Sequence, residues 1–203
     1  MDTMTYDLSE PQAIVCGASE VTLYPQFLAA ADAAHLATAL IDALAWQRLS
    51  GRMFGKAYPV PRDTCWVGPV AYRYSGLRHD PADWPGVLLP LRQALEDAIA
   101  GAVFESVLAN RYRDGRDRVG WHADDEPIFG AEPVIASVSL GATRKFKLRR
   151  NGMKGTTKIS LASGSLLVMC GATQREYQHC VPPQASVAAA RINLTFRTLA
   201  PGV

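Results

Sequence analysis

The 203-residue sequence contains few of the residues that mark extracellular or membrane proteins. It has only four cysteines and no C-x-x-C pair, which excludes a disulfide scaffold and favours a reducing compartment. No segment approaches the roughly 18 consecutive apolar residues of a membrane-spanning helix. The first residues carry acids but no Lys or Arg, which is not the pattern of a targeting peptide. We therefore expect a cytoplasmic protein that does not enter a membrane.

Positive charge is missing from the first 47 residues, which hold six acids and no Lys or Arg. The rest of the chain holds all 21 basic residues against 13 acids, a net charge of +8. Hydrophobic residues make up 48% of the chain and charged residues 20%, as in an ordinary folded domain. The basic body is compatible with a polyanionic partner, and an unevenly charged, solvated surface explains it equally well.

The hydrophobic pattern predicts an α+β, mainly β, protein. Residues 1–25 are expected to be an irregular acidic leader. Apolar residues at helical spacing predict helices over residues 25–46 and 85–101. After residue 102, short β-branched runs alternate with turn residues, including the Asn151-Gly152 hairpin signal. This texture is typical of an all-β sandwich or barrel with helices packed at its N-terminal side.

Two histidines and an aspartate are candidate metal ligands. His122 and Asp124 are separated by one residue, so in a strand they share a face. Of the other histidines, only His179 follows them in the chain, and it supplies a second imidazole. Two His and one carboxylate form the facial triad of non-haem Fe(II) oxygenases, which leaves positions open for a co-substrate and O2. A lone H-x-D is also common in exposed charged loops, and a zinc site of His179 with Cys170 and Cys180 is an alternative.

The C-terminal segment ARINLTFRT predicts a strand with two arginines on one face. Arg191, Asn193, Thr195 and Arg197 alternate with apolar residues that face the other way. Two inward arginines need an anion, and arginine suits the bidentate binding of a carboxylate. 2-Oxoglutarate meets both demands, because it chelates iron at one end and carries a second carboxylate at the other. The alternative is an edge strand whose arginines are solvated.

Several motifs in order resemble the AlkB family of Fe(II)/2-oxoglutarate-dependent nucleic-acid dealkylases. The resemblance runs from about Phe54 to Arg197. It rests on N-R-Y-x-D-G-x-D (110–117), H-x-D-D-E (122–126), I-A-S-V-S-L-G-A-x-R (135–144), G-S-L-L-V-M (164–169), H-x-x-P (179–182) and R-I-N-L-T-F-R (191–197). It implies a double-stranded β-helix, or jelly roll, with N-terminal helices and a nucleotide-recognition lid. We accordingly expect one dioxygenase domain over residues 26–203, with the lid at 50–80 and the jelly-roll core at 102–200.

The resemblance also implies roles for individual residues. Iron would be bound by His122, Asp124 and His179. 2-Oxoglutarate would be held by Asn110, Tyr112, Arg191, Asn193 and Arg197. Arg191 is expected near the metal-side carboxylate and Arg197 at the distal one.

On the nucleic-acid side, the chain looks most like the branch of the family that also acts on duplex DNA. The residues Met53, Phe54 and Gly55 resemble its finger, in which Phe54 would fill the gap left by a flipped base. The base pocket would be formed by Tyr72, Tyr74 and Glu126. Phosphate contacts would come from Lys56, Arg62, Arg149 and Arg150. Alternatives are a buried loop anchor for Phe54, a surface charge for Glu126 and a solvated basic hairpin over 144–158.

The implied activity is oxidative demethylation of 1-methyladenine and 3-methylcytosine in single- or double-stranded DNA. It would use Fe(II), 2-oxoglutarate and O2 and release succinate, CO2 and formaldehyde. The enzyme is expected to be a monomer. The alternatives are the same chemistry on RNA or on a protein, and a non-catalytic nucleic-acid-binding module.

Overall fold

The computed structural model describes residues 4–53, 56–74 and 77–203, with the backbone alone for residues 52, 53, 56–58, 74 and 77. The helices in this part of the chain are α1 (Ala30–Ala43), α2 (Leu89–Ala98) and the single turn α3 (Thr173–Glu176). Two 3-10 turns lie at Gly86–Leu88 and Pro127–Phe129. No described helix has the length and hydropathy needed to cross a membrane.

The described residues form fifteen strands. The first seven are β1 (Gln12–Val15), β2 (Ser19–Tyr24), β3 (Ser50–Met53), β4 (Lys56–Pro59), β5 (Asp63–Val67), β6 (Tyr72–Tyr74) and β7 (Leu77–His79). The other eight are β8 (Ser106–Tyr112), β9 (Val119–His122), β10 (Ile135–Gly141), β11 (Arg144–Arg150), β12 (Thr157–Leu161), β13 (Leu166–Gly171), β14 (Tyr177–Val181) and β15 (Arg191–Arg197).

Two antiparallel sheets build the core. The large sheet has the order β1-β2-β13-β10-β15-β8-β5, and the small sheet has the order β12-β11-β14-β9. Two further pairs, β3-β4 and β6-β7, lie within the predicted lid region. Apolar side chains of both sheets pack into one cluster between them, with Met169 and Ile135 from the large sheet against Phe146 and Ile159 from the small one. The predicted β-sandwich is therefore present.

The helices cover the opposite face of the large sheet. Leu36 and Leu40 of α1 and Leu91 and Leu95 of α2 are fully buried against it, in the same cluster as Phe196 of β15. Each leucine pair is spaced by four residues, so both side chains lie on one side of the helix. The first helix begins at Ala30 rather than at residue 25, because Leu28 is extended and bonds through its backbone to Gly164.

The prediction of an irregular leader over residues 1–25 is wrong. Strands β1 and β2 form a hairpin there, and β2 pairs with β13 over Ser19–Tyr24. Val21 and Leu23 are buried in the cluster between the two sheets, whereas Glu20 is exposed and Thr22 is partly exposed. This period of two suits β2 to its place between β1, which forms the edge of the large sheet, and β13.

Candidate metal and 2-oxoglutarate site

The structure brings His122, Asp124 and His179 together where the small sheet faces the large one. His122 ends β9 and is the register partner of His179 in β14, while Asp124 lies in the loop just after β9. The candidate ligand atoms of the three side chains lie within 4.8 Å of one another. Among the described residues this is the one group of three or more His, Cys, Asp or Glu with such spacing. The alternative zinc site of His179 with two cysteines does not assemble there.

Charge and hydrogen bonding suit the three side chains to a divalent cation. Burial lowers the pKa of His179 to about 3 and also lowers that of His122, so both imidazoles are neutral at pH 7. His122 donates from Nδ1 to the carbonyl of Gly120 at 2.8 Å, which leaves the lone pair on Nε2. That Nε2 lies 3.8 Å from Oδ1 of Asp124. Two neutral imidazoles and a carboxylate are the donor set of a non-haem Fe(II) site.

Asp124 is held ionised inside the protein. Burial acts to raise its pKa, but the charge of Arg197, with smaller contributions from the two histidines, lowers it to about 2. Arg197 donates from Nε and Nη2 to Oδ2 at 3.0 and 2.9 Å. The other oxygen, Oδ1, is buried and has no hydrogen-bond partner among the described residues. An unpaired buried carboxylate oxygen is costly unless it binds a cation.

The arginine-bearing strand β15 is central rather than an edge strand. It pairs with β10 on one side and β8 on the other, and all seven of its residues are buried. Ile192, Leu194 and Phe196 face the helices, as the alternation predicts. Asn193 and Arg197 line the cleft between the sheets, together with Asn110 and Tyr112 of β8. The cleft holds about 500 Å³ of empty space, counting its open mouth.

Arg191 is a buried cation with an incomplete set of partners. It is 1% exposed and donates from Nη2 to Oγ of Ser139 at 2.9 Å. Its Nε and Nη1 have no hydrogen-bond partner within the described part of the chain. Burial lowers the pKa of Arg191 to about 10. Its guanidinium lies over the ring of Tyr112 at 5.2 Å, with no ion pair among the described residues. This environment fits an incoming carboxylate.

The expected order of the two arginines is reversed in the structure. Arg197, expected at the distal end, forms an ion pair with the candidate metal ligand Asp124. Arg191, expected near the metal, lies six residues away along β15 and contacts Tyr112 and Ser139 instead. The alternation of the strand places both on one face, but only the fold decides which end of β15 meets Asp124.

The comparisons with known proteins agree with this geometry. The chain matches the sequence profile of the 2OG-Fe(II) oxygenase superfamily over residues 20–197. It is 42% identical over 195 residues to alpha-ketoglutarate-dependent dioxygenase alkB homolog 3 of Rattus norvegicus, covering 91% of this chain and 66% of that protein. The Homo sapiens protein of the same name is 40% identical, with 91% and 68% covered. This chain belongs to the AlkB family of 2OG-Fe(II) oxygenases.

Other relatives of this AlkB-family chain extend the comparison. DNA oxidative demethylase ALKBH2 of Arabidopsis thaliana is 39% identical over 181 residues, covering 75% of this chain and 57% of that protein. The chain thus spans about two thirds of the length of the alkB homolog 3 proteins and 57% of this ALKBH2 protein. The structure of OsALKBH1 superposes with a TM-score of 0.63 at 19% identity, covering 93% of this chain and 100% of that one. The structure of a 2OG-Fe(II) oxygenase family oxidoreductase from Burkholderia pseudomallei superposes with a TM-score of 0.57 at 17% identity, covering 87% of this chain and 84% of that one. The predicted jelly-roll fold is confirmed.

Within the AlkB-family site, Tyr72 and Glu126 meet beside the cleft. The hydroxyl of Tyr72 donates to Oε1 of Glu126 at 3.2 Å, and Oε2 is buried without a hydrogen-bond partner among the described residues. Burial, with the charge of Asp124, raises the pKa of Glu126. Trp66 and Phe129 pack against the ring of Tyr72. These contacts make Glu126 a partly buried acceptor rather than a simple surface charge.

Most of the predicted finger lies outside the described residues. Phe54 and Gly55 are not described, and Met53, Lys56 and Tyr74 are described by their backbone alone. Their predicted roles as finger, phosphate contact and base-pocket residue stay predictions.

The predicted phosphate contacts that are described differ in their surroundings. Arg62 is 6% exposed, lines the cleft and donates from Nε to Oδ1 of Asn110 at 2.6 Å, so it lies deeper than a surface cation, and its role as a phosphate contact stays a prediction. Arg149 lies on the outer side of the small sheet over Trp121, and Arg150 pairs with Glu176 at 3.0 Å. Of the predicted phosphate contacts whose side chains are described, Arg149 and Arg150 are thus the two on the protein surface.

Sequence reasoning missed several polar residues that support the site. Ser137 accepts a hydrogen bond from Nδ2 of Asn193, and Ser139 accepts one from Arg191. Gln174 of α3 accepts a hydrogen bond from the backbone of Asp124 at 3.0 Å and so holds the loop after β9. The two serines alternate in β10 with buried apolar residues, which was a usable signal. Gln174 had none, because it lies 50 residues from its partner.

We predict that the metal-free protein loses stability in mild acid. An unfolded chain protonates His179 near pH 6.5, whereas the folded one resists protonation down to about pH 3. The stabilisation is thus complete above pH 6.5 and falls as the pH drops toward 3, by about 2 kcal/mol between pH 7 and pH 5. Asp124 adds a further loss between about pH 4 and pH 2. Urea unfolding at pH 7 and at pH 5 measures the effect. In His179→Gln, the free energy of unfolding should depend less on pH. An equally steep dependence in that variant would contradict the assignment.

Proposed function

We propose that this protein oxidatively demethylates alkylated bases in DNA, with 1-methyladenine and 3-methylcytosine as substrates. The observation that carries the proposal is the His122–Asp124–His179 cluster beside a strand with two buried arginines. A metal and a dicarboxylate together would satisfy the unpaired atoms Oδ1 of Asp124 and Nε and Nη1 of Arg191. The names of the relatives, alkB homolog 3 and ALKBH2 DNA oxidative demethylase, support the substrate class.

In this proposal the protein contributes binding, orientation and charge. Iron would be held by the three ligands, with Arg197 fixing the carboxylate of Asp124 in one orientation. 2-Oxoglutarate would be held by Arg191, with Asn110, Tyr112, Asn193 and Arg197 lining the cleft around it. When bound, iron with 2-oxoglutarate and O2 supplies the oxidation of the N-methyl carbon, and the products are the restored base, formaldehyde, succinate and CO2.

The surroundings of Tyr72 and Glu126 fit a methylated base better than an unmodified one. Methylation at N1 of adenine or N3 of cytosine gives the ring a positive charge. Aromatic faces and a nearby carboxylate attract such a cation. Oε2 of Glu126 has no hydrogen-bond partner among the described residues, so it offers an acceptor for the exocyclic amine of the base. Glu126 would thus select the base while Tyr72 holds its carboxylate in place.

Repair of a short DNA oligomer carrying either lesion tests the proposal directly. The oligomer is offered single-stranded, double-stranded and as RNA, with Fe(II), 2-oxoglutarate and O2. We expect formaldehyde release and base restoration on DNA, and both should vanish in His122→Ala. If succinate forms but the base is not restored, the protein is an oxygenase and the two methylated bases are not its substrates. Faster repair of the RNA oligomer would make RNA the substrate instead of DNA. If neither succinate nor formaldehyde forms with iron loaded, the alternative of a nucleic-acid-binding module is favoured.

The proposed enzyme acts as a monomer in the cytoplasm. All candidate ligands and cleft residues come from a single chain. All four cysteines are free, which suits a reducing compartment. Light scattering at working concentration tests the monomer, and fluorescence of a tagged chain in cells tests the compartment.

A further inference from the structure

The outer side of the small sheet carries four cations that form no ion pair within the described part of the chain. The strands β9, β11, β12 and β14 contain no Asp or Glu, and of their six Lys or Arg, Arg144 is buried and Arg150 pairs with Glu176. Side chains alternate along β11, so Phe146 and Leu148 are buried while Lys145, Lys147 and Arg149 point outward. We call Lys145, Lys147, Arg149, Lys158 and Trp121 the basic face. Such a surface attracts polyanions.

Two lysines of the basic face lie directly opposite each other. Lys147 of β11 is the register partner of Lys158 of β12. Like charges in that position destabilise an antiparallel pair. Neither lysine forms an ion pair in the part of the chain that the structure describes. An anion bound between them would remove the repulsion.

An exposed tryptophan joins the basic face to the site. Trp121 precedes the candidate metal ligand His122 in β9, so its side chain lies on the outer side of the strand while His122 faces the cleft. The residue is 36% exposed although the guanidinium of Arg149 lies 4.2 Å from the centre of its ring. Arg149 is itself held by Oε1 of Gln178 at 2.7 Å. A rigid, exposed aromatic ring flanked by cations is suited to base stacking.

We propose that the basic face binds the DNA strand that flanks the base in the cleft. The phosphates would lie along Lys145, Lys147 and Lys158, and a flanking base would stack on Trp121. That the bound strand is DNA rests on the proposed function, whereas the positive charge of the basic face does not depend on it. The arrangement makes affinity depend on oligomer length, because a strand must extend beyond the cleft to reach β11 and β12.

Neutralising the opposed lysines tests the phosphate contacts. Binding of unmethylated single-stranded DNA of 5 and 20 nucleotides is measured by fluorescence anisotropy over a range of KCl concentrations. In Lys147→Ala/Lys158→Ala, we expect the slope of log K against log salt for the 20-mer to fall by about 1.4, since each contact contributes about 0.7. Affinity for the 20-mer should fall several-fold more than affinity for the 5-mer.

A matched control removes the same charge elsewhere. Arg116→Ala/Arg175→Ala also loses two cations, but each already pairs with a carboxylate, of Asp114 and Glu132. This variant should keep the salt slope of the unmodified protein. Equal losses in both double variants, or no loss in either, would overturn the proposal. Repair by the unmodified protein is scored separately, so failure of the proposed function and failure of the surface are distinguishable.

A single substitution separates binding from folding. Lys158→Glu turns the opposed pair with Lys147 into an attractive one, so the thermal midpoint should be unchanged or higher. Affinity for the 20-mer should nevertheless fall. If Lys158→Glu keeps its affinity for the 20-mer, the proposal is contradicted. It is also contradicted if the affinity falls only together with the thermal midpoint.

Tryptophan fluorescence reports on stacking. The other tryptophans, at 46, 66 and 84, are buried or partly buried, so Trp121 is the one most accessible to a bound base. We expect the 20-mer to quench the emission, the 5-mer to quench it less, and Trp121→Phe to remove the difference. Equal quenching by both oligomers, or a difference that persists in Trp121→Phe, would exclude stacking on Trp121.

Discussion

Replacing Arg191 with methionine is expected to stabilise the ligand-free protein and to abolish its response to 2-oxoglutarate. Arg191 is fully buried, two of its nitrogens lack a partner among the described residues, and burial lowers its pKa to about 10. A buried unpaired polar group costs about 1–3 kcal/mol, and methionine fills a similar volume without it. The loss of the hydrogen bond to Ser139 reduces this gain in stability by about 1 kcal/mol. The free energy of unfolding should therefore rise by about 1–2 kcal/mol.

The same substitution should remove the anchor for the co-substrate. Loss of one partner of a buried charge pair costs about 2–5 kcal/mol, so the KM for 2-oxoglutarate should rise at least about 30-fold. Thermal unfolding provides a readout without turnover. A saturating ligand at 100 times its Kd stabilises the unmodified protein by about 2.7 kcal/mol, and this shift should vanish in Arg191→Met.

Arg191→Lys is the matched control for charge. Lysine keeps the positive charge but not the planar fork, so its ligand-free stability should stay close to that of the unmodified protein and its KM should be intermediate. If Arg191→Met is less stable than the unmodified protein, Arg191 has a structural role. If 2-oxoglutarate still stabilises Arg191→Met against thermal unfolding, the co-substrate binds elsewhere.

The chemistry of the site was predictable from sequence because it depends on local periodicity. His122 and Asp124 are two residues apart, and the arginines of β15 alternate with apolar residues, so each group could be assigned to one face. The relation between the groups was not predictable in this way. The pairing of Arg197 with Asp124 spans 73 residues and reverses the expected order of the two arginines.

The largest errors concern segments whose partners are distant in sequence. The one short apolar run in residues 1–25, Val21 to Tyr24, is too brief to predict a strand by itself, although Val21 and Leu23 alternate as in a strand. The place of β2 between β1 and β13 in the large sheet depends on β13, more than 140 residues later. Arg62 similarly carries a local signal of a surface cation, and only the fold places it against Asn110 in the cleft.

Asp124→Ala is expected to have the largest effect on both stability and turnover. It removes a candidate iron ligand, so iron-dependent turnover should be lost. It also leaves Arg197 as a buried charge without its carboxylate, which costs about 3–5 kcal/mol in the free energy of unfolding. Urea unfolding of the metal-free protein measures this cost, and Fe(II)-dependent succinate formation measures the turnover.

The double variant Asp124→Ala/Arg197→Met separates the two consequences. With both charges removed, the metal-free protein should regain most of its stability, because replacing a buried ion pair by apolar groups is often neutral or stabilising. Turnover should stay lost, since the ligand is still missing. Arg197→Met alone keeps the ligand and should weaken metal binding by about 10- to 100-fold, as loss of an orienting partner does. Additive losses of stability in the double variant would show that the two side chains act independently. Recovery of stability without turnover would identify Arg197 as the residue that makes a buried, ionised Asp124 compatible with the fold.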